Sequence, residues 1–304
     1  MTHVLLTGAT GFVGRHVATT LAERGAKITV IIRHGTCHRL SIEPTTIIET
    51  DDLFAHDAAW WRTVMSDVEM VLHLAWIATP GRYLTDPINL DCLRGTLSLA
   101  AAARSEGIRR FVSTGTCLEY AMTGRPLCVD GPLDPRSLYA AAKASAYLSL
   151  RALFARTETR FLWARLFHLY GPGEHPRRLF AYLHGQMANG QPAELGSGAQ
   201  VRDFIDVRAA AKMIVGHAFS DTQDAVNIGA GRGQTVREMA EHLATTYGRS
   251  DLLRFGARPD PADEPCHIVA DLDVPRANQS HGPIVHPSAA IARPENTCAS
   301  AAPR

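Results

Sequence analysis

Residues 1–14, Met-Thr-His-Val-Leu-Leu-Thr-Gly-Ala-Thr-Gly-Phe-Val-Gly, decide the fold of this chain. The apolar run at residues 4–6 predicts a buried strand, and the apolar spacing from residue 12 onward predicts a helix. Gly8 and Gly11 lie between the predicted strand and helix, and Gly14 lies in the first turn of the helix. In such a strand–turn–helix unit, glycines make the tight turn, let backbone approach a pyrophosphate and let the helix pack on the strand. The helix start also offers free N–H groups to an anion. The stretch therefore predicts a nucleotide-binding turn, although Gly-x-x-Gly-x-x-Gly differs from the commonest fingerprint.

The composition predicts a soluble globular protein. The chain has 304 residues, of which 46% are hydrophobic, and a net charge of +1, which indicates neither a nucleic-acid surface nor an acidic tail. No apolar run approaches the roughly 18 residues of a membrane span, and the first residues do not have the pattern of a secretory leader. We therefore expect a cytoplasmic protein that binds neither nucleic acid nor membrane. Six cysteines without a Cys-x-x-Cys pair lead us to expect no metal site.

Strands and helices alternate through the first half of the chain. Apolar patterns predict strands at 4–6, 27–32, 46–50, 68–74, 109–113 and 161–167. They predict helices from residue 12 to Gly25 and at 57–66, 87–105 and 137–155. This alternation predicts an α/β fold, a Rossmann-type doubly wound parallel sheet whose ligands lie beyond the carboxyl ends of the strands.

The second half predicts a smaller substrate domain that is interwoven with the sheet. Helices are expected at 179–189, 208–219 and 235–247, with short strands at 201–207 and 225–229. We assign residues 1–167 and 201–230 to a dinucleotide-binding domain, and 168–200 and 231–270 to the substrate domain. Residues 271–304 are rich in Pro, Ala, Ser and His without periodicity, and we expect them to be a poorly ordered tail.

The end of the second predicted strand indicates which dinucleotide is bound. In dinucleotide sites a carboxylate at this position bonds the adenosine ribose, whereas an arginine suits the extra phosphate of NADP. Arg33 stands here, and no acidic residue occurs between positions 28 and 42. We therefore expect NADP(H) as the cofactor, with NAD as the alternative.

Tyr139 and Lys143 are the predicted catalytic pair. Their spacing of four residues places both on one face of the long helix predicted here. A free phenol, with a pKa of about 10, exchanges protons poorly at neutral pH, and a nearby ammonium favours the phenolate. A hydroxyl must also hold the substrate oxygen. Thr116, at the end of the preceding strand, is placed for this, with Thr114 and Ser113 as competitors.

With these residues, the chain resembles the extended short-chain dehydrogenases/reductases, in the group of nucleotide-sugar epimerases and dehydratases. The resemblance covers residues 1 to about 270. It implies that residues 7–14 form the cofactor loop, that Asp52-Leu53 contacts the adenine, and that His73-Leu74-Ala75 is the fourth-strand motif. It also makes Thr116, Tyr139 and Lys143 the catalytic triad, with Tyr139 as general acid/base. The implied cofactor contacts are Gly8, Thr10, Gly11, Phe12, Val13, Gly14, Arg33, Asp52, Leu53, Leu74, Ala75, Trp76, Tyr139 and Lys143.

The same resemblance implies a nucleotide-sugar substrate. Residues 165–172 resemble the segment that runs from the sheet into the sugar-nucleotide site. Residues 198–207 resemble the stretch whose arginine, here Arg202, grips the substrate diphosphate, and Arg258 is implied as a second cation. Guanidinium groups suit phosphate oxygens well. The implied substrate contacts are Trp76, Tyr83, Thr116, Cys117, His168, Arg178, Arg202 and Arg258.

Departures from the family pattern narrow the expected reaction. Dehydratases of the group carry Thr-Asp-Glu where this chain has Thr116-Cys117-Leu118, and Cys and Leu do not replace that acid/base pair. The loop at 76–83 and residues 115–120 resemble the group's 4-ketoreductases, and Trp76 replaces a small residue beside the nicotinamide site. We therefore expect an NAD(P)H-dependent oxidoreductase that reduces a nucleotide-activated 4-keto-6-deoxy sugar at C4, with Tyr139 as the proton donor.

Two other functions are compatible with the sequence. A nucleotide-sugar C4-epimerase with tightly bound NAD would use the same triad, although His168 stands where epimerases usually have Asn. A catalytically silent dinucleotide-binding regulator is the third hypothesis, because the family's Trp-Pro turn and final helix do not follow Asp273. The resemblance also implies a homodimer formed through the two long helices, 88–105 and 137–155.

Overall fold

The computed structural model describes residues 1–261 and 264–272, and strands and helices alternate through most of that length. The strands are β1 (His3–Thr7), β2 (Lys27–Arg33), β3 (Thr46–Thr50), β4 (Met70–His73), β5 (Arg110–Thr116), β6 (Arg160–Leu166), β7 (His168–Tyr170), β8 (Ala193–Glu194), β9 (Val201–Arg202), β10 (Phe204–Asp206), β11 (Asp224–Ile228), β12 (Gln234–Thr235), β13 (Leu253–Arg254) and β14 (His267–Ile268). The helices are α1 (Phe12–Glu23), α2 (Ala58–Val64), α3 (Ile88–Ser105), α4 (Leu138–Phe154), α5 (Leu179–Ala188), α6 (Val207–Ala218) and α7 (Val236–Thr246).

Seven of these strands form one parallel sheet in the order β3-β2-β1-β4-β5-β6-β11. The strand order reverses between β1 and β4, which is the doubly wound arrangement. Ligands of such sheets bind outside the carboxyl ends of the strands at that switch point. The predicted Rossmann-type α/β fold is confirmed.

The sheet is covered on both faces because side chains alternate along each strand. In β1, Val4 and Leu6 lie in the apolar cluster formed with α1 and α6, whereas Leu5 lies in the cluster formed with α3 and α4. All three are fully buried. Burial on both faces explains why the strands are continuous apolar runs rather than alternating ones.

A smaller layer follows β6 in the chain. Helices α5 and α7 pack around an apolar cluster of their own that includes Phe180, Leu183, Met239 and Leu243. Short strands join this layer: β9 pairs with β12 and β14, and β10 pairs with β7. The layer is interwoven with the sheet as expected, and the domain boundaries drawn from the sequence stay a prediction.

The strand predicted at 201–207 is divided into β9 and β10 by Asp203, a buried residue. Its carboxylate accepts three backbone N–H groups, those of Ala230 at 2.6 Å, Gly231 at 3.0 Å and Ala270 at 3.1 Å. Asp206 is the N-cap of α6, and its side chain accepts the backbone N–H of Arg208 at 2.7 Å. The sequence pattern did not predict this division, because an apolar pattern gives no sign of a buried carboxylate that binds backbone N–H groups.

Only the first two residues of the predicted tail at 271–304 are described, and the rest of it lies outside the described residues. Asp271 donates its backbone N–H to the Leu127 carbonyl at 3.0 Å. In the part of the chain that the structure describes, no helix combines the length and apolar character needed to cross a membrane. Over the same residues, no group of three or more His, Cys, Asp or Glu side chains is arranged to hold a metal ion.

Candidate active site

One cavity collects almost all of the predicted site residues. It has a volume of about 1030 Å³ and lies at the carboxyl ends of β1, β2, β4, β5 and β6. Its wall includes every predicted cofactor and substrate residue except Arg202 and Arg258. Ligand pockets commonly measure about 300–1,000 Å³, so this cavity has the size that a large ligand needs.

The glycine turn after β1 is packed so closely that side chains do not fit in it. Gly8 has a φ of +79°, a conformation that favours glycine. A Cβ on Gly14 would lie 1.9 Å from the Gly8 carbonyl oxygen, and a Cβ on Gly8 would lie 2.8 Å from the Ala75 backbone nitrogen. Gly11 is the N-cap of α1 and brings no side chain to it. The N–H groups at the start of α1 are therefore free to bind an anion, which fits a dinucleotide pyrophosphate.

Two arginines lie at the end of the cavity next to β2. Arg33 ends β2, Arg39 lies in the turn that follows, and both are exposed and line the wall. On the neighbouring loop, Asp52 accepts the N–H of Phe54 at 2.9 Å, and Leu53 is nearly buried. The sequence did not point to Arg39, because an irregular loop has no periodicity; a second basic residue soon after Arg33 is the signal that was available.

Helix α4 carries Tyr139 and Lys143 on one face. Ser137 begins the helix, its hydroxyl oxygen accepting a backbone N–H three residues later at 3.2 Å. Lys143 is 3% exposed and donates through Nζ to the Thr114 carbonyl at 2.7 Å. The same Nζ lies 3.8 Å from the centroid of the Trp76 ring, which is a favourable cation–π contact.

Burial controls the proton affinities of this pair. Burial lowers the pKa of Lys143 to about 7, and Glu119 acts in the opposite direction. Burial raises the pKa of Tyr139, Tyr83 and Glu119 add to the rise, and a hydrogen bond with Thr116 opposes it. The shift of Tyr139 is opposite to the depression expected from the sequence, because the desolvation of a buried phenolate outweighs the other effects.

Thr116 is the candidate hydroxyl that the structure brings to Tyr139. Its side chain lies near enough to the phenol to act against the rise in the pKa of Tyr139. Ser113 is engaged elsewhere, since its hydroxyl donates to the His73 carbonyl at 3.0 Å. Thr114 contributes its carbonyl to Lys143. Thr116 lies at the end of β5. Its hydroxyl is therefore suited to hold a substrate oxygen beside the phenol.

Aromatic rings form the wall around Tyr139. Tyr83 meets it edge to face with ring centroids 4.8 Å apart, and Trp76 does so at 6.3 Å. Trp76 Nε1 donates to Asn89 Oδ1 at 2.8 Å, and the fully buried Asn89 donates to the Tyr83 carbonyl at 2.7 Å. One buried amide thus holds the loop between β4 and α3 against the reacting end of the cavity.

At the end of the cavity beyond β6, His168 Nδ1 and Glu174 Oε2 are buried polar atoms that find no hydrogen-bond partner among the described residues. Burial lowers the pKa of His168 to about 3, and Arg202 and Arg178 add to the effect, so the imidazole is neutral. Burial raises the pKa of Glu174 to about 7, against the attraction of Arg178. Buried polar atoms are costly when unpaired. This end of the cavity is therefore suited to polar groups of a ligand. The sequence did not point to Glu174, which lies in a Gly-Pro-rich loop.

The structure does not bring Arg202 and Arg258 to the cavity wall. Arg202 is 4% exposed and donates to Glu264 Oε1 at 2.7 Å. It still acts on the pKa of His168 and so lies close behind the wall. Arg258 is exposed and pairs with Glu194 at 3.6 Å. Their role in gripping a diphosphate stays a prediction.

A doubly wound parallel sheet, a glycine turn at its switch point, and a Tyr-x-x-x-Lys helix beside a strand-end threonine define the class of NAD(P)-dependent α/β enzymes. A family model described as "NAD dependent epimerase/dehydratase family" matches residues 4–229. The chain belongs to this family.

Individual relatives are distant. UDP-glucuronic acid decarboxylase 1 of Danio rerio is 25% identical, over 88% of this chain and 66% of its own length. The chain thus spans just under two thirds of that relative. dTDP-6-deoxy-L-talose 4-dehydrogenase (NAD(+)) of Aggregatibacter actinomycetemcomitans is 24% identical, over 84% of this chain and 95% of its own length. Among solved structures, the UDP-N-acetylglucosamine 4-epimerase from Methanobrevibacter ruminantium M1 in complex with UDP-N-acetylmuramic acid has a TM-score of 0.80, 24% identity and 90% coverage of both chains.

Proposed function

We propose that the chain is an NADP(H)-dependent reductase of a nucleotide-activated 4-keto-6-deoxy sugar. The observation that carries the proposal is the chemistry at the end of β5, where Thr116, Tyr139 and Lys143 share one end of the cavity. The two positions after Thr116 add neither an acid nor a base. Burial raises the pKa of Cys117 to about 12, and Leu118 has no proton to exchange. Reduction of a ketone needs one proton donor, whereas dehydration of the sugar needs a further acid/base pair.

Each residue of the set has a distinct task in this reaction. NADP(H), when bound, supplies the hydride that C4 receives. The Thr116 hydroxyl donates a hydrogen bond to the C4 oxygen and orients it. Tyr139 gives its proton to that oxygen, and burial keeps the phenol protonated until then. Lys143 stabilises the tyrosinate that remains, and the rings of Trp76 and Tyr83 exclude water from the reacting end.

NADP(H) is favoured over NAD by the two guanidinium groups at the end of β2. Arg33 and Arg39 both line the cavity there, and a guanidinium pairs with phosphate oxygens through two parallel hydrogen bonds. The glycine turn would hold the pyrophosphate, and Leu53 would contact the adenine. Lys143 would hold the nicotinamide ribose.

The dehydrogenase from Aggregatibacter actinomycetemcomitans supports the choice of reaction. By its name, it acts at position 4 of a dTDP-activated 6-deoxy sugar. Oxidation of that hydroxyl and reduction of the 4-ketone are the two directions of one reaction. Its name also gives NAD(+) as the cofactor, so cofactor preference is the point on which the two proteins would differ.

The direct test mixes the protein with NADPH and, in turn, a dTDP-, GDP- or CDP-activated 4-keto-6-deoxy sugar. We expect NADPH absorbance to fall with one of the three, in proportion to the sugar added, and more slowly when NADH replaces NADPH. If none is reduced and the denatured protein releases bound NAD, the reductase proposal is wrong and the epimerase takes its place.

A C4-epimerase with tightly bound NAD is the second candidate. The Thr116–Tyr139–Lys143 set favours it as well, because oxidation and re-reduction at one carbon use the same groups. The family description also names epimerases. An epimerase would interconvert two nucleotide sugars without consuming added NADPH, which chromatography of the reaction mixture detects.

We further propose that the chain forms a homodimer through the outer faces of α3 and α4. Leu90 on α3 is 54% exposed and Leu148 on α4 is 53% exposed. Both leucines would be buried if these adjacent helices packed against a second copy of the chain. Sedimentation at low micromolar concentration is expected to give a dimer that Leu148→Glu dissociates. A monomeric wild-type chain would contradict this.

A further inference from the structure

A buried carboxylate lies directly beside the reacting end of the cavity. Glu119 is 0% exposed and follows β5 by one short turn. Its Oε1 accepts the backbone N–H of Thr116 at 2.8 Å, and its Oε2 accepts Arg165 Nε at 2.7 Å. Trp163 Nε1 donates to both oxygens at 3.1 Å. Thr116 and Glu119 are thereby locked in a capping box.

These contacts require Glu119 to be ionised. A protonated carboxyl needs an acceptor for its own O–H, whereas Thr116, Trp163 and Arg165 all donate to it. Burial raises the pKa of Glu119, and the ion pair with Arg165 and the two N–H donors act against burial. Glu119 stays ionised all the same, because protonation would leave the buried Arg165 without its counter-ion.

The chain makes room for this carboxylate at Gly115. A Cβ there would lie 2.3 Å from Glu119 Oε1 and 2.1 Å from Trp163 Nε1. Gly115 is not among the glycines with positive φ, so its missing side chain provides space rather than conformational freedom. Replacing a buried ion pair by apolar residues is often neutral or stabilising. The buried ion pair is therefore weak evidence for a stabilising role.

We propose that Glu119 is a positioning residue for the reaction. It holds Thr116 at the end of β5 through the backbone N–H, and it places a negative charge near Tyr139 and Lys143. The inference rests on the proposed function only in taking Thr116, Tyr139 and Lys143 as the reacting groups. A nearby negative charge favours the protonated form of both neighbours, because loss of a proton makes either of them more negative.

Of the titratable groups that shift the pKa values of Tyr139 and Lys143, Glu119 is the ionised one. Among the described residues, the titratable groups that interact with Tyr139 or Lys143 are His73, Tyr83, Cys92, Cys117 and Glu119. The two thiols are neutral, since burial raises the pKa of Cys92 to about 11 and that of Cys117 to about 12. Burial lowers the pKa of His73 to about 3, so it is neutral too. Burial also raises the pKa of Tyr83.

This charge suits proton donation. A reductase needs Tyr139 protonated when the ketone arrives, whereas an epimerase first needs a base to take the proton of the C4 hydroxyl. Glu119 raises the pKa of both Tyr139 and Lys143. Removing its charge is therefore expected to lower both, and the rate of ketone reduction would begin to fall at a lower pH on the basic side of its profile.

Lys143 reports this charge directly, because the sequence has three lysines, Lys27, Lys143 and Lys212. The full chain labelled with carbon-13 at lysine Cε gives three signals in a nuclear magnetic resonance titration, and Lys27→Arg and Lys212→Arg assign them. In the wild type we expect Lys143 to titrate near pH 7. In Glu119→Gln we expect its midpoint to fall by about one pH unit. An unchanged or higher midpoint would overturn the proposal.

Tyr120→Phe is the matched control. It removes a hydrogen bond that Arg165 Nη1 donates at 2.9 Å within the same cluster, and it leaves the Glu119 charge in place. We expect the Lys143 midpoint to stay at its wild-type value. An equal downward shift in this variant would mean that loosening of the cluster, rather than loss of charge, moves the titration, and the proposal would be wrong.

Glu119→Asp separates the charge from the positioning, and it serves if Glu119→Gln does not fold. The shorter side chain keeps the charge but does not reach Thr116 and Arg165 together. We expect a wild-type Lys143 midpoint, with kcat for reduction about tenfold lower and KM little changed. A lowered midpoint or a wild-type kcat would contradict the proposal. If the chain reduces no ketone at all, the proposed function fails, while the lysine titration still decides the role of the charge.

Discussion

The glycine turn and the substrate end of the same cavity are built by opposite means. At the turn, Gly14 and Gly8 bring backbones so close that no side chain fits between them. At the substrate end, His168 and Glu174 have buried polar atoms without a hydrogen-bond partner in the part of the chain that the structure describes. The glycine turn is therefore shaped by backbone packing, whereas the substrate end depends on side-chain chemistry that a ligand completes. Substitutions are expected to act through packing on one side and through polar contacts on the other.

The largest effect is expected at the glycine turn. Gly14→Ala would place a Cβ 1.9 Å from the Gly8 carbonyl oxygen, so α1 must move away from β1. We expect calorimetry to detect no NADPH binding and the free energy of unfolding to fall by about 3 kcal/mol. Gly185→Ala is the control, because its Cβ in α5 would meet no atom of the described residues within 4 Å. It should stabilise the chain by about 0.5–1 kcal/mol. A Gly14→Ala variant that binds NADPH normally would break the comparison.

Loss of the Tyr139 hydroxyl comes next. Tyr139→Phe removes the proton donor and leaves the ring, so kcat for ketone reduction should fall about 100-fold or more, with NADPH affinity unchanged. Tyr147→Phe is the matched control on the same helix, since its hydroxyl bonds Asp224 at 2.9 Å and does not line the cavity. Full turnover by Tyr139→Phe would remove the phenol from the mechanism. If the wild type and Tyr139→Phe both bind NADPH but neither reduces the ketone, the result favours a catalytically silent dinucleotide-binding protein.

A smaller effect is expected at the end of β2. Arg33→Ala should weaken NADPH binding about tenfold and leave NADH binding unchanged, because only the former carries the extra phosphate. Arg24→Ala is the control, since this arginine stacks on Phe219 at 4.4 Å outside the cavity. Equal losses of NADPH and NADH affinity in Arg33→Ala would show that the guanidinium does not distinguish the two cofactors.

The smallest effects concern the two arginines that lie off the cavity wall. Arg202 is buried behind His168, so Arg202→Ala should raise KM for the nucleotide sugar by about fivefold, or about 1 kcal/mol. Arg258→Ala should change KM by less than about twofold, because its partner contacts are exposed. A larger effect at Arg258 than at Arg202 would reverse this ranking and bring Arg258 into the site.

The sheet could be predicted from the sequence because its signals are local. The strand predicted at 46–50 coincides with β3, and the helix predicted at 137–155 differs from α4 by one residue at each end. The glycines mark the turn, and the four-residue spacing places Tyr139 and Lys143 together. Each of these features depends on neighbours within one or two turns of chain.

The electrostatics of the site could not be predicted in the same way. Glu119 meets Trp163 and Arg165, which lie on the adjacent strand and are 44 and 46 residues away in sequence. The register between β5 and β6 sets these contacts, and no local pattern encodes it. The direction of the Tyr139 pKa shift likewise depends on burial by distant segments, and spacing alone suggested the opposite sign.

Isotope transfer tests directly whether hydride passes from NADPH to C4 of the sugar. The full chain is mixed with NADPH that carries deuterium at the transferable nicotinamide position and with a nucleotide-activated 4-keto-6-deoxy sugar, and the product is analysed by mass spectrometry and nuclear magnetic resonance. We expect one deuterium at C4 of the product for the wild type, and almost none for Tyr139→Phe in the same time. A sugar whose C4 configuration changes without gaining deuterium would contradict this expectation.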